Sequence, residues 1–483
     1  MAKKAIISIL LTFTFLYACN KSTDTVTPDT STYNDLWIPP TLTGTNLSLA
    51  VGKSTKQFKT GAATNTYSYN NTGFWGPTLV VNKGDLVKIN VANNLSETTT
   101  THWHGFHIPA EMDGGPHQMI EAGTTWSPSF EIKNNAGTYW YHPHLHEKTK
   151  EHIVYGAGGL IIVKDPIESA LALPRTYGTD DIPLVLTSRT FNSSNVIDNS
   201  TRVYGDEHLS NGTLNPQISL PKQFVRFRIL NADVERGYNL GFSDNRTFYV
   251  IGNDGGLLNE PVALTRVKLM VGERIEIMVN LGSDAVGSSL DMKAYNSGQT
   301  FGFPGGEPAS TGDFGSLLNN KDYTVLHINV KAATANAITA VPSKLANNTY
   351  WTNADVTSTR NISITGGQGG SAFSFDNNVY GETKINQTIK LDAIEKWTIT
   401  NNQIFGHSFH IHDIQFKVIS RSSGAVNAYE SGWKDTVYIP LGESVSVIAK
   451  FDDFASSKYP YMYHCHFSNH EDGGMMGQFL VTQ

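Results

Sequence analysis

The chain reads as all-β, built from three Greek-key β-barrels or sandwiches in series. Three observations carry that reading. No stretch of useful length shows the apolar period of a helix. Short runs of apolar and alternating residues recur instead, bounded by Gly, Asn, Asp and Pro. And 483 residues are enough for about three domains at roughly 150 residues each. Charged residues make up only 16%, and Thr, Asn, Ser and Gly are abundant, a composition that suits a loop-rich exported protein.

Taken in order, residues 1–19 read as a signal peptide. Lys3 and Lys4 give a positive start and Ala5 to Phe15 an apolar run. Leu16-Tyr17-Ala18-Cys19 resembles a bacterial lipobox, which makes Cys19 the acylated first mature residue; ordinary cleavage near Ala18 is the alternative. Residues 20–32 are a polar tether. A lipid at Cys19 would be the only membrane contact, since no later apolar run is long enough for a spanning helix. The chain is therefore expected to be exported, periplasmic and lipid-anchored. The net charge of −7 argues for no particular partner, and no basic cluster points to nucleic acid. A monomer is expected. With Cys19 acylated, Cys465 is the only other cysteine, so no disulfide forms.

The first domain is expected over 33–168, with strands at 77–81, 85–91 and 159–163 and a turn at Asn82-Lys83-Gly84. The second, over 173–331, has strand candidates at 182–187, 224–230, 248–251 and 274–279. It carries only His208 and His327, far apart, and reads as a metal-free spacer. The third, over 342–483, has strands at 396–400 and 444–451 and ends on Tyr463-His464-Cys465-His466-Phe467.

That last segment bears the chemistry. On a strand, successive side chains point to opposite faces. Cys465 therefore faces one way, and His464 and His466 the other. On the cysteine's side His470 and Met475 follow, and one more histidine from elsewhere would complete two imidazoles, a thiolate and a weak axial thioether. That donor set describes a blue-copper electron-transfer centre, whereas zinc would take a closed set without methionine. Five His-x-His pairs occur, at 102/104, 142/144, 144/146, 410/412 and 464/466. Random placement of 16 histidines would give about half of one pair. Each pair can aim two imidazoles into one cavity, and the pairs come from both ends of the chain.

The segments His102-Trp103-His104-Gly105, His142-Pro143-His144, His407-Ser408-Phe409-His410-Ile411-His412 and His464-Cys465-His466…His470…Met475 resemble the four copper motifs of the multicopper oxidases. The likeness runs over nearly the whole mature chain, including Asn253-Asp254-Gly255-Gly256 and Met270-Val271-Gly272-Glu273-Arg274. It implies cupredoxin-like domains and four copper ions. Type 1 copper would take His407, Cys465, His470 and Met475; type 2 would take His102 and His410. The type 3 pair would take His104, His142, His144, His412, His464 and His466. All twelve positions are filled, whereas a degenerate relative such as the division-associated proteins of this fold would lack several. A copper nitrite reductase would not need histidines on both sides of the cysteine.

The resemblance further implies one-electron oxidation of a reductant coupled to reduction of O2 to water, with Asp113 and Glu471 as proton-relay carboxylates. Each could instead be an acceptor that orients a ligand histidine. His107, His117, His146 and His152 fall outside the matched positions, and Asp472 reads as structural. Cuprous oxidases of this family carry methionines in the third domain and a Met and Asp before the type 1 histidine. Here Gln403 and Phe405 stand there, and no methionine falls between Met292 and Met462. A phenol or aromatic amine is therefore the expected reductant, with Cu(I) the alternative.

Overall fold

A computed structural model describes residues 32–200, 203–308, 313–367 and 371–483. Cys19 and, but for Thr32, the tether at 20–32 lie outside them. Among the described residues no helix is long and apolar enough to cross a membrane. The chain is nearly all-β, and its strands form three successive pairs of sheets.

In the first pair, Asn46–Lys56 lies parallel to Leu86–Asn93. The facing sheet runs Thr41–Thr43, Thr78–Asn82, Gly159–Lys164, Gly137–His142, His102–His104. Leu47, Leu49, Val51, Val87, Ile89 and Trp103 fill the space between. Along Asn46–Lys56 and the start of Leu86–Asn93 these residues alternate with exposed or half-buried neighbours, as strands with one wet face do. The middle pair is centred on Asp181–Arg189, Phe224–Asn231 and Arg274–Asn280. These three strands are almost wholly buried, because both faces are covered. The third pair joins Ser358–Thr365, Ala393–Asn401 and Ser444–Phe451 on one side to Met476–Thr482, Tyr461–Cys465 and His407–Ile411 on the other. Trp397, Phe409, Phe451, Tyr463 and Phe479 occupy its core.

The connections pass between these pairs. Asn34–Asp35 pairs with Pro216 and Gln217 of a middle sheet, and the Leu345 amide donates to the Asn259 carbonyl of the other. A fourth apolar cluster, including Phe74, Trp75, Trp140, Leu160, Val185 and Leu230, joins the first and middle pairs.

Candidate metal centre

Four strand ends meet at the site. His102–His104 pairs antiparallel with Gly137–His142, setting His102 opposite His142 and His104 opposite Trp140. The Trp103 and Tyr141 rings between them go into the first core. In the third pair of sheets His410 lies opposite His464 and Phe409 opposite Cys465. Alternation then does what the sequence implies. His407, Phe409 and Cys465 share the core face, while His410 and His464 share the other, facing the first pair of sheets. The strand itself spans Tyr461–Cys465, two residues earlier than 463–467, and His466 continues the alternation just past its end.

Eight imidazoles, all buried, form three sets whose ligand nitrogens lie within 4.8 Å of one another: His102, His104 and His410; His104, His142 and His466; His144, His412 and His464. Each set draws on both outer pairs of sheets. Second partners decide which nitrogen each ring offers. His102 Nδ1 donates to the Asp113 carbonyl at 2.8 Å, His410 Nδ1 to the Asp435 carbonyl at 2.8 Å, and His142 Nδ1 to the Pro143 carbonyl at 2.9 Å. The three Nε2 atoms left over are buried without a hydrogen-bond partner. His412 Nδ1 donates to Asp113 Oδ2 at 2.7 Å and His464 Nδ1 to the Cys465 carbonyl at 3.1 Å. Their Nε2 atoms then face each other 3.2 Å apart, with His144 Nε2 also 3.2 Å from His464 Nε2.

Lone pairs that converge in a dry cavity repel, and unpartnered buried nitrogens are costly; a cation removes both penalties. Burial and mutual repulsion lower six of these imidazoles, His104, His142, His144, His410, His412 and His466, toward the neutral form that ligands need. His142, His410 and His412 lie well below the usual histidine value. His144 and His466 fall to about 3, mainly through burial. The donor set and its orphaned nitrogens therefore fit copper ions.

On the other face of the strand, Cys465 Sγ lies 3.6 Å from both His407 Nδ1 and His470 Nδ1. All three form one candidate ligand set. Burial pushes the thiol up, so a bound metal must displace its proton. His470 and Glu471 ride a short helix, Ser468–Asp472. The chain then turns at Gly473-Gly474 to bring back Met475, which is buried in the same core. The Met475 amide donates to the His470 carbonyl at 2.9 Å and its carbonyl accepts from the Cys465 amide at 3.1 Å. Phe373 covers the His407 and His470 rings. His470 keeps 10% side-chain exposure, against none for His407.

Sequence models described as multicopper oxidase match residues 50–168 and 348–483. A multicopper oxidase of Staphylococcus haemolyticus is 32% identical over 90% of this chain and 88% of its own. The chain belongs to the multicopper oxidase family. A further relative of this multicopper oxidase, at 30% identity over 97% of this chain and 94% of its own, is the cell division protein FtsP of Xenorhabdus nematophila. Among solved structures, the laccase-like multicopper oxidase CueO of an Ochrobactrum species superposes with a TM-score of 0.83 at 29% identity, covering 92% of this chain and all of that one. The three sheet pairs are thus cupredoxin-like barrels, and the family binds copper.

The two acids named from sequence stand where both expected roles are open to them. Asp113 bonds His412 through its side chain and His102 through its carbonyl. Glu471 places one oxygen 3.3 Å from His144 Nδ1 and the other 3.3 Å from His464 Nδ1.

The remaining histidines sit apart. His146 packs on Tyr380, His152 meets Thr99, His117 bonds Gln478 and His107 lies among aspartates. His208 contacts Ser210 and Tyr238, and His327 pairs with Asp291. Asp472 accepts from the Thr149 and Lys150 amides at the start of helix Thr149–Val154.

Sequence reasoning missed Asp435, which touches His104 and His410, Arg274, which pairs with it from the middle barrel, and Asp254, whose carbonyl holds Arg274. Asp254 and Arg274 lie inside stretches that carry the family likeness, and that likeness was the only signal available.

Proposed function

We propose that this multicopper oxidase is a working, laccase-like four-copper enzyme, oxidising a phenol or aromatic amine one electron at a time and reducing O2 to water. Type 1 copper is assigned to His407, Cys465, His470 and Met475, and type 2 to His102 and His410. The type 3 ions are assigned to His104, His142 and His466 and to His144, His412 and His464. One observation carries the reading. Cys465 Sγ sits 3.6 Å from two imidazoles, while its chain neighbours His464 and His466 belong to the histidine sets on the far face.

When bound, the coppers supply the one-electron redox steps and the O2 chemistry. The chain supplies the rest. The peptide between Cys465 and His464 or His466 joins the two places through bonds. The His470 edge is the ligand surface nearest solvent. Asp113 and Glu471 are the proton-handling acids, each in contact with cluster histidines. An aromatic reductant has support beside His407, where Phe405 stacks on the exposed Phe314 at 5.2 Å and lies 6.3 Å from the exposed Phe301. The relative from Ochrobactrum is described as active on lignin model compounds, which fits the same class. The apolar run at 5–15 and Cys19 favour an enzyme held outside the cytoplasm by a lipid anchor, and we take it to act as a monomer.

Oxygen uptake by the copper-loaded protein tests this, with a phenolic dye and Cu(I) compared at equal electron supply. Faster turnover of the dye is expected. Faster turnover of Cu(I) would reassign the enzyme as a cuprous oxidase, and none with either would leave a copper-binding relative of the division proteins.

A further inference from the structure

His104 is turned the opposite way from its neighbours. His102, His142, His410, His412 and His464 each bond an oxygen through Nδ1 and offer Nε2. His104 instead places Nε2 against Asp435 Oδ1 at 3.1 Å and directs Nδ1 at His466 Nε2, 3.2 Å away. A carboxylate can only accept, so Nε2 must carry the proton and Nδ1 the lone pair. Thr436 Oγ1 lies 3.3 Å from the same nitrogen but gives its own proton to Asp435 at 2.9 Å.

Asp435 is held from the middle barrel. Arg274 reaches it with both ends of its fork, Nη1 to Oδ1 at 2.7 Å and Nη2 to Oδ2 at 2.5 Å. Such bidentate pairing fixes the carboxylate plane as well as its charge. Arg274 is itself anchored: Nε donates to the Thr138 carbonyl at 3.1 Å, Nη1 to the Gly272 carbonyl at 3.0 Å and Nη2 to the Asp254 carbonyl at 2.9 Å. The Asp435 carbonyl also takes the His410 Nδ1 proton. One residue thereby orients an imidazole from each outer barrel, and those two rings stack at 3.8 Å. Room for the ion pair comes from Gly105, at φ +86, where a Cβ would collide with Asp435 Oδ2 and lie 2.7 Å from Arg274 Nη2.

We propose that Arg274 and Asp435 are a positioning pair through which the copper-free middle barrel sets the His104 tautomer, and with it the metal site His104 shares with His142 and His466. The proposal rests on the four-copper reading. The double variant Arg274→Gln/Asp435→Asn replaces the ion pair by neutral amides, the one at 435 of the same size as the carboxylate and the one at 274 shorter than the guanidinium, and the amide NH2 introduced at position 435 can then donate to His104 Nε2. In a copper titration buffered by a chelator, its copper at the His104 site should weaken by about 10- to 100-fold. It should hold three coppers where the wild type holds four, with the type 1 colour and the melting temperature kept. A merely structural role would lower the melting temperature and affect every site alike. Arg274→Lys, which keeps the charge and loses the fork, should show the same selective loss should the double variant not fold. Either folded variant holding four coppers at wild-type affinity, or losing all sites together, would overturn the proposal. The wild-type arm tests the parent reading separately: a parent that is not blue and does not take up four coppers would fail before any variant is compared.

Discussion

At the scale of single residues, the site is organised by which nitrogen each histidine gives away. Asp113 gives the clearest case, since it holds His412 by its carboxylate and His102 by its main chain. Asp113→Ala should weaken copper binding by about 10- to 100-fold, as measured by titration against a chelator. The loss should fall on the set containing His412, because the carbonyl that orients His102 survives the substitution. The histidine pairs at 102/104, 142/144, 410/412 and 464/466 could be read from sequence, because His-x-His and His-Cys-His spacings carry their geometry with them, whereas His407 came only from the family likeness. Asp435 and Arg274 could not. A buried ion pair between residues 161 positions apart leaves no spacing to recognise.

At the scale of elements, the strand is what turns spacing into chemistry. Period-two alternation puts Cys465 and His464 on opposite faces, and pairing Phe409 with Cys465 and His410 with His464 lines up two such strands. The strands named from sequence are present with ends moved by up to three residues; 85–91, for instance, is Leu86–Asn93, and 396–400 is Ala393–Asn401. The helix Ser468–Asp472 was not legible, since five residues are too few to show a helical period, and Phe467 before it makes no side-chain cap. It exists because the chain must carry His470 back to Cys465 in one turn.

The loop bearing Asp113 depends on one glycine. Gly114 has φ +78, and a Cβ there would overlap the Thr101 carbonyl and come within 3.0 Å of the His102 Cα. Gly114→Ala should therefore push the loop off the His102 strand and cost about 1–3 kcal/mol or more. Thermal unfolding measures that cost, and a fall in bound copper should accompany it.

At the scale of the whole molecule, the outer barrels share the histidine cavity, so whatever holds them together holds the site. One brace is ionic. His107 of the first barrel donates from Nδ1 to Asp413 Oδ1 at 2.8 Å and from Nε2 to Asp453 Oδ2 at 3.1 Å. Burial lowers the His107 imidazole, but Asp413 and the neighbouring aspartates win and raise it to about 9. A histidine raised from 6.5 in this way stabilises the fold fully below about pH 6.5, and the contribution is lost as pH climbs through 9. Burial raises the Asp413 carboxyl to about 6 and offsets the gain at lower pH, so His107→Gln should cost on the order of 2 kcal/mol at about pH 7 and much less at about pH 10, by denaturant unfolding. An equal cost at both pH values would remove the charge from the explanation. The three-barrel plan was legible from length and turn spacing, but the part played by the middle barrel was not. Read from sequence as a spacer, the middle barrel in fact sets Arg274 against Asp435, which bonds His104. Cys465 joins one face of a strand to the other, and Cys465→Ser tests that link most directly through the optical spectrum and bound copper of the purified protein. The blue colour should vanish while three coppers remain in the shared cavity; a variant that stays blue, or that loses all four, would contradict it.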